Sequence, residues 1–194
     1  MGKRICVING HPDSGEGHFV PALATAYAEA AEAAGHEVSR IDIAALAFDF
    51  LHNAAEFAQP PAEPIASERE KIAAADHVVL LYPLWAGSLP ARVKGFLEQV
   101  GRGDFFIKAS PEGKWPIRRM AGKSARLIVT MGMPALAYGL VFGAHSVKAT
   151  EQGIFKLSGF APVRHTLLGG VDSAGQAGRE KMITRVRALG RRAL

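Results

Sequence analysis

Residues 78–81 read Val-Val-Leu-Leu, four apolar residues in succession with no polar residue to face water. A strand without alternation is buried on both faces, which happens chiefly where helices cover both sides of a parallel sheet. The flanks agree with that reading. Tyr82 and Pro83 lead into Leu84-Trp85-Ala86-Gly87-Ser88, and Pro90 then opens a helical spacing of apolar residues through Val100. Proline suits the first turn of a helix, where its missing N–H has no partner to lose.

The same alternation runs along the chain. Residues 4–8 form a short β-prone run ending at Asn9-Gly10, and an Ala-rich helix is expected from Phe19 to Ala34, stopped by Gly35. A second strand is expected over 36–43, a helix over 65–76, the third strand over 77–83 and its helix over 90–100. A fourth strand is expected over 124–130, a fifth over 161–169, and a last helix from about Ser173 onward. Residues 44–64, with three prolines, read as a long surface excursion. Strands alternating with helices imply a three-layer α/β fold. The length, 194 residues with 48% hydrophobic content, suits one domain over 1–194 with a sizeable core.

Several functions are disfavoured. Cys6 is the only cysteine, so neither a disulfide framework nor a Cys-rich zinc site is expected, and a reducing, cytoplasmic setting is the default. No His/Asp/Glu cluster has metal-site spacing, so no metal is expected. The apolar run Ile5–Ile8 is too short for a signal-peptide core, no segment has membrane-spanning length, and Cys6 breaks the myristoylation pattern. A soluble protein is expected. The formal charge is +5, but much of the surplus lies in residues 179–192, where Met182, Ile183, Val186 and Leu189 recur at helical spacing. That pattern describes an amphipathic terminal helix with a solvated basic face, and no nucleic-acid role is expected.

Open parallel sheets bind ligands outside the carboxyl ends of their strands. Three loops occupy those ends: Asn9-Gly-His-Pro-Asp-Ser-Gly-Glu-Gly-His-Phe19, Pro83-Leu-Trp-Ala-Gly-Ser-Leu-Pro90 and Met131-Gly-Met-Pro-Ala-Leu-Ala-Tyr-Gly139. The first lacks the Gly-x-Gly-x-x-Gly dinucleotide fingerprint but offers small residues, the Ser14 hydroxyl and a helix start near Gly17, which suit a phosphate; an ordinary turn reads equally well. Ala121-Gly-Lys-Ser124 resembles the end of a P-loop, yet Ile117 stands where the full pattern needs Gly, and the segment precedes a strand. Trp85 at a strand end, beside small residues, offers a flat apolar wall for a planar heteroaromatic ring; the alternative is that it packs under the following helix.

Taken together, residues 8–49, 68–100 and 122–139, continuing through Ser158-Gly-Phe-Ala-Pro-Val-Arg-His-Thr-Leu-Leu-Gly169, resemble the flavodoxin-like NAD(P)H:quinone oxidoreductases of the DT-diaphorase type. The resemblance implies a flavodoxin-like five-stranded parallel sheet of order 2-1-3-4-5, bound FAD or FMN, and a homodimer with each active site at the subunit boundary. By position, His11, Ser14, Gly17, His18 and Phe19 would surround the flavin phosphate or ribityl chain. Pro83, Leu84, Trp85, Ala86 and Gly87 would line the ring, with Thr130, Met131, Gly132 and Met133 on its other edge. Main-chain N–H groups of 84–87 could support the ring as negative charge builds on reduction. Two departures stand out: Ala86-Gly87 replaces a second aromatic common in the family, and Thr130-Met131-Gly132-Met133-Pro134 stands where Thr-Gly-Gly is common.

By the same resemblance, Tyr138 and His145 are candidate catalytic residues that would hydrogen-bond the flavin or quinone and help move protons. Seven residues apart, they would share a face if the segment is one helix. His36, His52, His77 and His165 read as structural. The stretch 103–118 holds Phe105, Phe106 and Trp115; it is expected to cover the pocket or reach the partner subunit, with Phe105 and Phe106 against substrate, or else to anchor on its own core. The implied activity is two-electron transfer from NADH or NADPH through flavin to a quinone or similar acceptor, by a ping-pong mechanism. Two other roles stay open: an ancillary flavoprotein subunit of a potassium efflux system, and a flavodoxin-like electron carrier.

Overall fold

The computed structural model describes residues 2–110 and 114–194. Its strands are β1 (Arg4–Asn9), β2 (Glu37–Asp42), β3 (His77–Pro83), β4 (Ile107–Lys108), β5 (Ile117–Arg118), β6 (Ser124–Met131) and β7 (Val163–Gly169). The helices are α1 (Phe19–Glu32), α2 (Ala54–Phe57), α3 (Ile65–Ala74), α4 (Ala91–Gly101), α5 (Ala135–Val141), α6 (His145–Thr150), which runs into a π-helical turn over Glu151–Lys156, and α7 (Gly175–Arg191). Five strands form one sheet in the order β2-β1-β3-β6-β7, every neighbouring pair parallel. Among the five sheet strands alone this is the order 2-1-3-4-5. The shift in numbering comes from β4 and β5, two-residue strands that pair antiparallel with each other.

The central strand explains the run that opened the sequence. Val78, Val79, Leu80, Leu81 and Tyr82 are all at most 1% exposed. Val78, Leu80 and Tyr82 enter a core with Ile72 of α3, Val93 and Phe96 of α4 and Val147 of α6. Val79 and Leu81 enter a second core with Leu23 and Tyr27 of α1 and Val186 of α7. Alternate side chains thus serve opposite faces, and each fully buried aliphatic contributes about 1.5–3 kcal/mol. The terminal helix lays Met182, Ile183, Val186 and Leu189 toward α1, as their spacing requires.

Some local expectations change. Pro90 is the N-cap of α4 and not its first helical residue; its carbonyl accepts the Val93 and Lys94 N–H groups. The excursion over 44–64 includes a 3₁₀ turn over Ile43–Ala45 and the short α2, capped by the Asn53 side chain on Glu56 N–H at 2.8 Å. The expected cover loop over 103–118 carries β4 and β5, and its residues 111–113 lie outside the described residues. No described helix is long and apolar enough to cross a membrane.

Candidate functional site

The three loops start at one level because the strands before them are in register. Pro83 pairs with Thr130, and the Leu84 N–H donates to the Thr130 carbonyl at 2.8 Å. On the other side, Gly10 N–H donates to the Leu81 carbonyl at 2.7 Å. A Cβ at Gly10 would meet that same carbonyl at 2.6 Å, so only glycine lets the first loop leave so close to β3.

The first loop is held by its own side chains. His11, 7% exposed, takes its main-chain N–H to Asn9 Oδ1 at 3.2 Å. Asp13 accepts the Gly15 N–H at 2.8 Å and lies 2.8 Å from His18 Nε2. Those two contacts, the Gly15 bond foremost, hold the Asp13 carboxyl below the usual carboxylate range. The His11 and His18 rings stack at 3.9 Å between centroids. The hydrogen bonds leave Ser14 and Gly17 exposed at the tip. No side chain caps the start of α1, and no acidic residue lies in its first turn. Unpaired N–H groups at a helix start carry partial positive charge, so this loop can take a phosphate.

Trp85 is half-exposed, which excludes the packing role under the next helix. Its edge meets His11 at 6.1 Å between centroids, with planes at 82°. A tight turn holds it out. The Trp85 N–H donates to Ser88 O at 2.8 Å and Ser88 N–H to Trp85 O at 2.9 Å, while Ala86 (φ 47°) and Gly87 (φ 77°) both adopt left-handed backbone. The Ala86 and Gly87 N–H groups make no described hydrogen bond and lie at the surface. Pro83 and Leu84 are partly buried beneath them. On the third loop, Gly132 and Met133 are exposed and Thr130 is buried. The Met131 side chain is in the core at 3% exposure, so only its main chain reaches the cleft.

Tyr138 and His145 do not share a helix face. The helical path breaks at Gly143 (φ 59°) and Ala144 (φ 50°), leaving Tyr138 on α5 and His145 as the first residue of α6. Tyr138 is buried, with its hydroxyl 2.7 Å from Ser146 Oγ, whereas His145 is exposed. Phe106 is buried and lines a cavity; Phe105 packs beside it at 5.3 Å, under the Arg69 guanidinium at 4.4 Å.

Two hollows adjoin these loops. A largely apolar cavity of about 870 Å³ extends from Trp85, Ala86 and Ser88 between α4 and α6 to Phe106, Ile154 and Leu157. A second, of about 610 Å³, lies beside Gly15–Phe19 and is flanked by Arg179 and Arg187 of α7. The sequence pointed to Trp85, Ala86 and Phe106 at the first hollow but not to its far wall, where Ile154 of the π-helical turn and Leu157 follow α6. Among the described residues, no three His, Cys, Asp or Glu side chains are grouped to hold a metal ion.

A parallel sheet of this order, with an anion-ready loop after β1 and an exposed indole after β3, defines a flavodoxin-like architecture. The chain belongs to the family described as flavodoxin-like fold, matching it over residues 3–189. Among solved structures, it is similar to the NAD(P)H:quinone oxidoreductase from Methanothermobacter marburgensis (21% identity, TM-score 0.82, covering 98% of both chains). It is also similar to Smu.1420 from Streptococcus mutans UA159 (23%, TM-score 0.76, 97% of this chain and 99% of that one). A third likeness is to the FMN-dependent NADH-azoreductase from Bacillus anthracis Ames Ancestor, solved with FMN (14%, TM-score 0.77, 99% of both).

Proposed function

We propose that this protein is an NAD(P)H-dependent flavoprotein reductase that delivers two electrons to quinones or similar acceptors. The observation that carries this reading is the meeting of a half-exposed Trp85 with the His11 loop over the uncapped start of α1. An apolar ring wall and a phosphate-ready loop at one sheet edge are the two halves of a flavin mononucleotide site. Structural likeness to the NAD(P)H:quinone oxidoreductase and the FMN-dependent azoreductase supports it.

The residues present fit a flavin. The first N–H groups of α1, Ser14 and Gly17 would hold the phosphate, and Trp85 would flank the ring. The N–H groups of Ala86 and Gly87, which make no described hydrogen bond, would stabilise negative charge at the ring edge. Bound there, the flavin supplies hydride acceptance from NADH or NADPH and two-electron delivery to the acceptor. The second cavity, lined by Arg179 and Arg187 as well as Glu16 and Glu29, offers room and two guanidinium groups for the additional phosphate and nucleoside of FAD. The cavity beyond Trp85 offers largely apolar walls to an apolar acceptor. Tyr138 acts through Ser146 by fixing α5 against α6, and His145 is the exposed imidazole available to hold or move a proton.

The working form in this reading is a homodimer. Leu136, Leu140, Val141 and Phe142 on and after α5 are each more than half exposed, an apolar face close to the third loop. We place the protein in the cytoplasm, where the lone Cys6, buried in the core with its thiol pushed up to about 12, stays reduced. Steady-state kinetics with NADPH or NADH and a quinone test the proposal. Parallel double-reciprocal lines are expected; intersecting lines argue against one site serving both substrates, and no turnover with either donor rejects the reductase.

A further inference from the structure

At the amino-terminal edge of the sheet, on the face covered by α1 and α7, the chain buries a cation that no acidic side chain partners among the described residues. Arg126 is 6% exposed. Its Nη1 donates to Thr166 Oγ1 at 2.7 Å and lies 3.5 Å from the His165 carbonyl. Its Nε is buried and has no partner among the described residues. Nη1 makes all of the described bonds, so the Nε/Nη2 edge is left over. That edge is the fork with which arginine grips an oxyanion through two parallel bonds.

The surroundings are cationic. Strand register sets Arg164 of β7 directly beside Arg126, and like charges side by side on neighbouring strands destabilise a sheet. Arg185 of α7 acts on Arg126 as a third cation, and burial together with these arginines pulls its pKa below the ordinary range. On the other flank, Arg126 pairs with Val79, two places along β3 from His77. His77 is 2% exposed, its Nδ1 is 2.7 Å from Ser124 Oγ, and its Nε2 is a second buried atom without a partner. In the tautomer in which the Ser124 hydroxyl donates to Nδ1, Nε2 carries the proton and is free to donate. Tyr27, the other group acting on Arg126, gives its hydroxyl to the Leu194 carbonyl at 3.3 Å. A buried charge without compensation is costly to keep.

We propose that Arg126, Arg164, Arg185 and the Nε2–H of His77 form a binding site for a phosphate dianion, separate from the flavin cleft. Arg126 and Arg164 are register neighbours, His77 stands on the adjoining strand, and Arg164 and Arg185 are exposed at the surface; donors from several elements suit a tetrahedral oxyanion better than a planar carboxylate. The site sits at the first residues of β3 and β6, whereas the flavin loops follow their last residues.

Thermal unfolding of the flavin-loaded protein, whose phosphate loop is filled, tests this in chloride and with added inorganic phosphate at matched ionic strength. The wild-type Tm is expected to rise saturably with phosphate, as for any ligand that binds only the folded state. Arg126→Met is expected to lose that response and, in chloride, to melt at or above the wild-type temperature. If Arg126→Met does not fold, Arg164→Gln at the exposed edge is expected to fold and to weaken the response several-fold. AMP in place of phosphate distinguishes sources: a response to both means the terminal group of a larger molecule is accepted, and a response to phosphate alone means the free ion. No saturable wild-type shift, or variants that respond like wild type, overturns the proposal. The readout needs no flavin chemistry, and the Arg126-dependent shift persists in flavin-free protein even if the reductase reading fails.

Discussion

The imidazole of His11, in the loop after β1, stands edge-on to the indole of Trp85, in the turn after β3, with centroids 6.1 Å apart and planes at 82°. This contact joins the loop after β1 to the proposed ring wall. It depends on β1 and β3 being parallel neighbours, so that both loops leave the sheet at one edge. His11 is fixed from below by Asn9 and from the side by His18.

The Trp85 turn rests on left-handed backbone at Ala86 and Gly87. A Cβ at Gly87 would meet nothing within 4 Å, so the cost of Gly87→Ala is conformational alone. It is expected to be about 1–2 kcal/mol, read as a fall in chemical-denaturation midpoint. A matching loss of flavin affinity is expected, because the same turn aims the indole.

His77 titrates in the folded protein near about 3, with burial the main cause, against an ordinary 6.5. The unfolded chain therefore binds the proton first. Stability from this residue is full above about pH 6.5 and is lost as pH falls toward the folded value. The slope is roughly 1.4 kcal/mol per pH unit in that window. His77→Gln is expected to flatten the acid limb of a stability-versus-pH curve, and an unchanged limb contradicts the assignment.

Tyr138 and Ser146 tie α5 to α6 through one 2.7 Å hydrogen bond. Tyr138→Phe is expected to cost about 1 kcal/mol and to lower Tm by roughly 2–4 °C. Stopped-flow reduction by NADPH or NADH is expected to keep its rate. A large loss in that half-reaction would instead make Tyr138 a residue in direct contact with flavin or nicotinamide.

Leu140 is 76% exposed on α5, one turn from Leu136 at 73%. If this face is the dimer contact, Leu140→Glu is expected to yield a monomer in sedimentation velocity while leaving far-UV circular dichroism unchanged. A wild-type monomer removes the dimer from the account.

Much of this was legible in the residues. The apolar runs over residues 78–81 and 127–129 marked β3 and β6, because the central residues of these strands are buried between helical layers, and the glycine and proline clusters fell at the strand ends. Trp85 was legible as a strand-end aromatic with two readings, ring wall or packing under the next helix, and its exposure removes the packing one. The break between α5 and α6 was not legible. Ala144 has high helix propensity, and only tertiary context places it at φ 50°. The cavity between α4 and α6 was hidden for a related reason: its walls come from segments distant in sequence, among them the π-helical turn at Ile154. The unpartnered Arg126 was hidden as well, because nothing in a β-prone run tells which cation will lack an acid.

The most direct test is to titrate wild type and Trp85→Ala with FMN and with FAD, then add NADPH or NADH to the wild-type complex without oxygen. The account predicts one flavin per chain, affinity roughly tenfold or more weaker in Trp85→Ala, and complete loss of the oxidised flavin band without a stable one-electron intermediate. Wild type that binds neither flavin, or a Trp85→Ala protein that binds as tightly as wild type, contradicts the placement of the ring against Trp85.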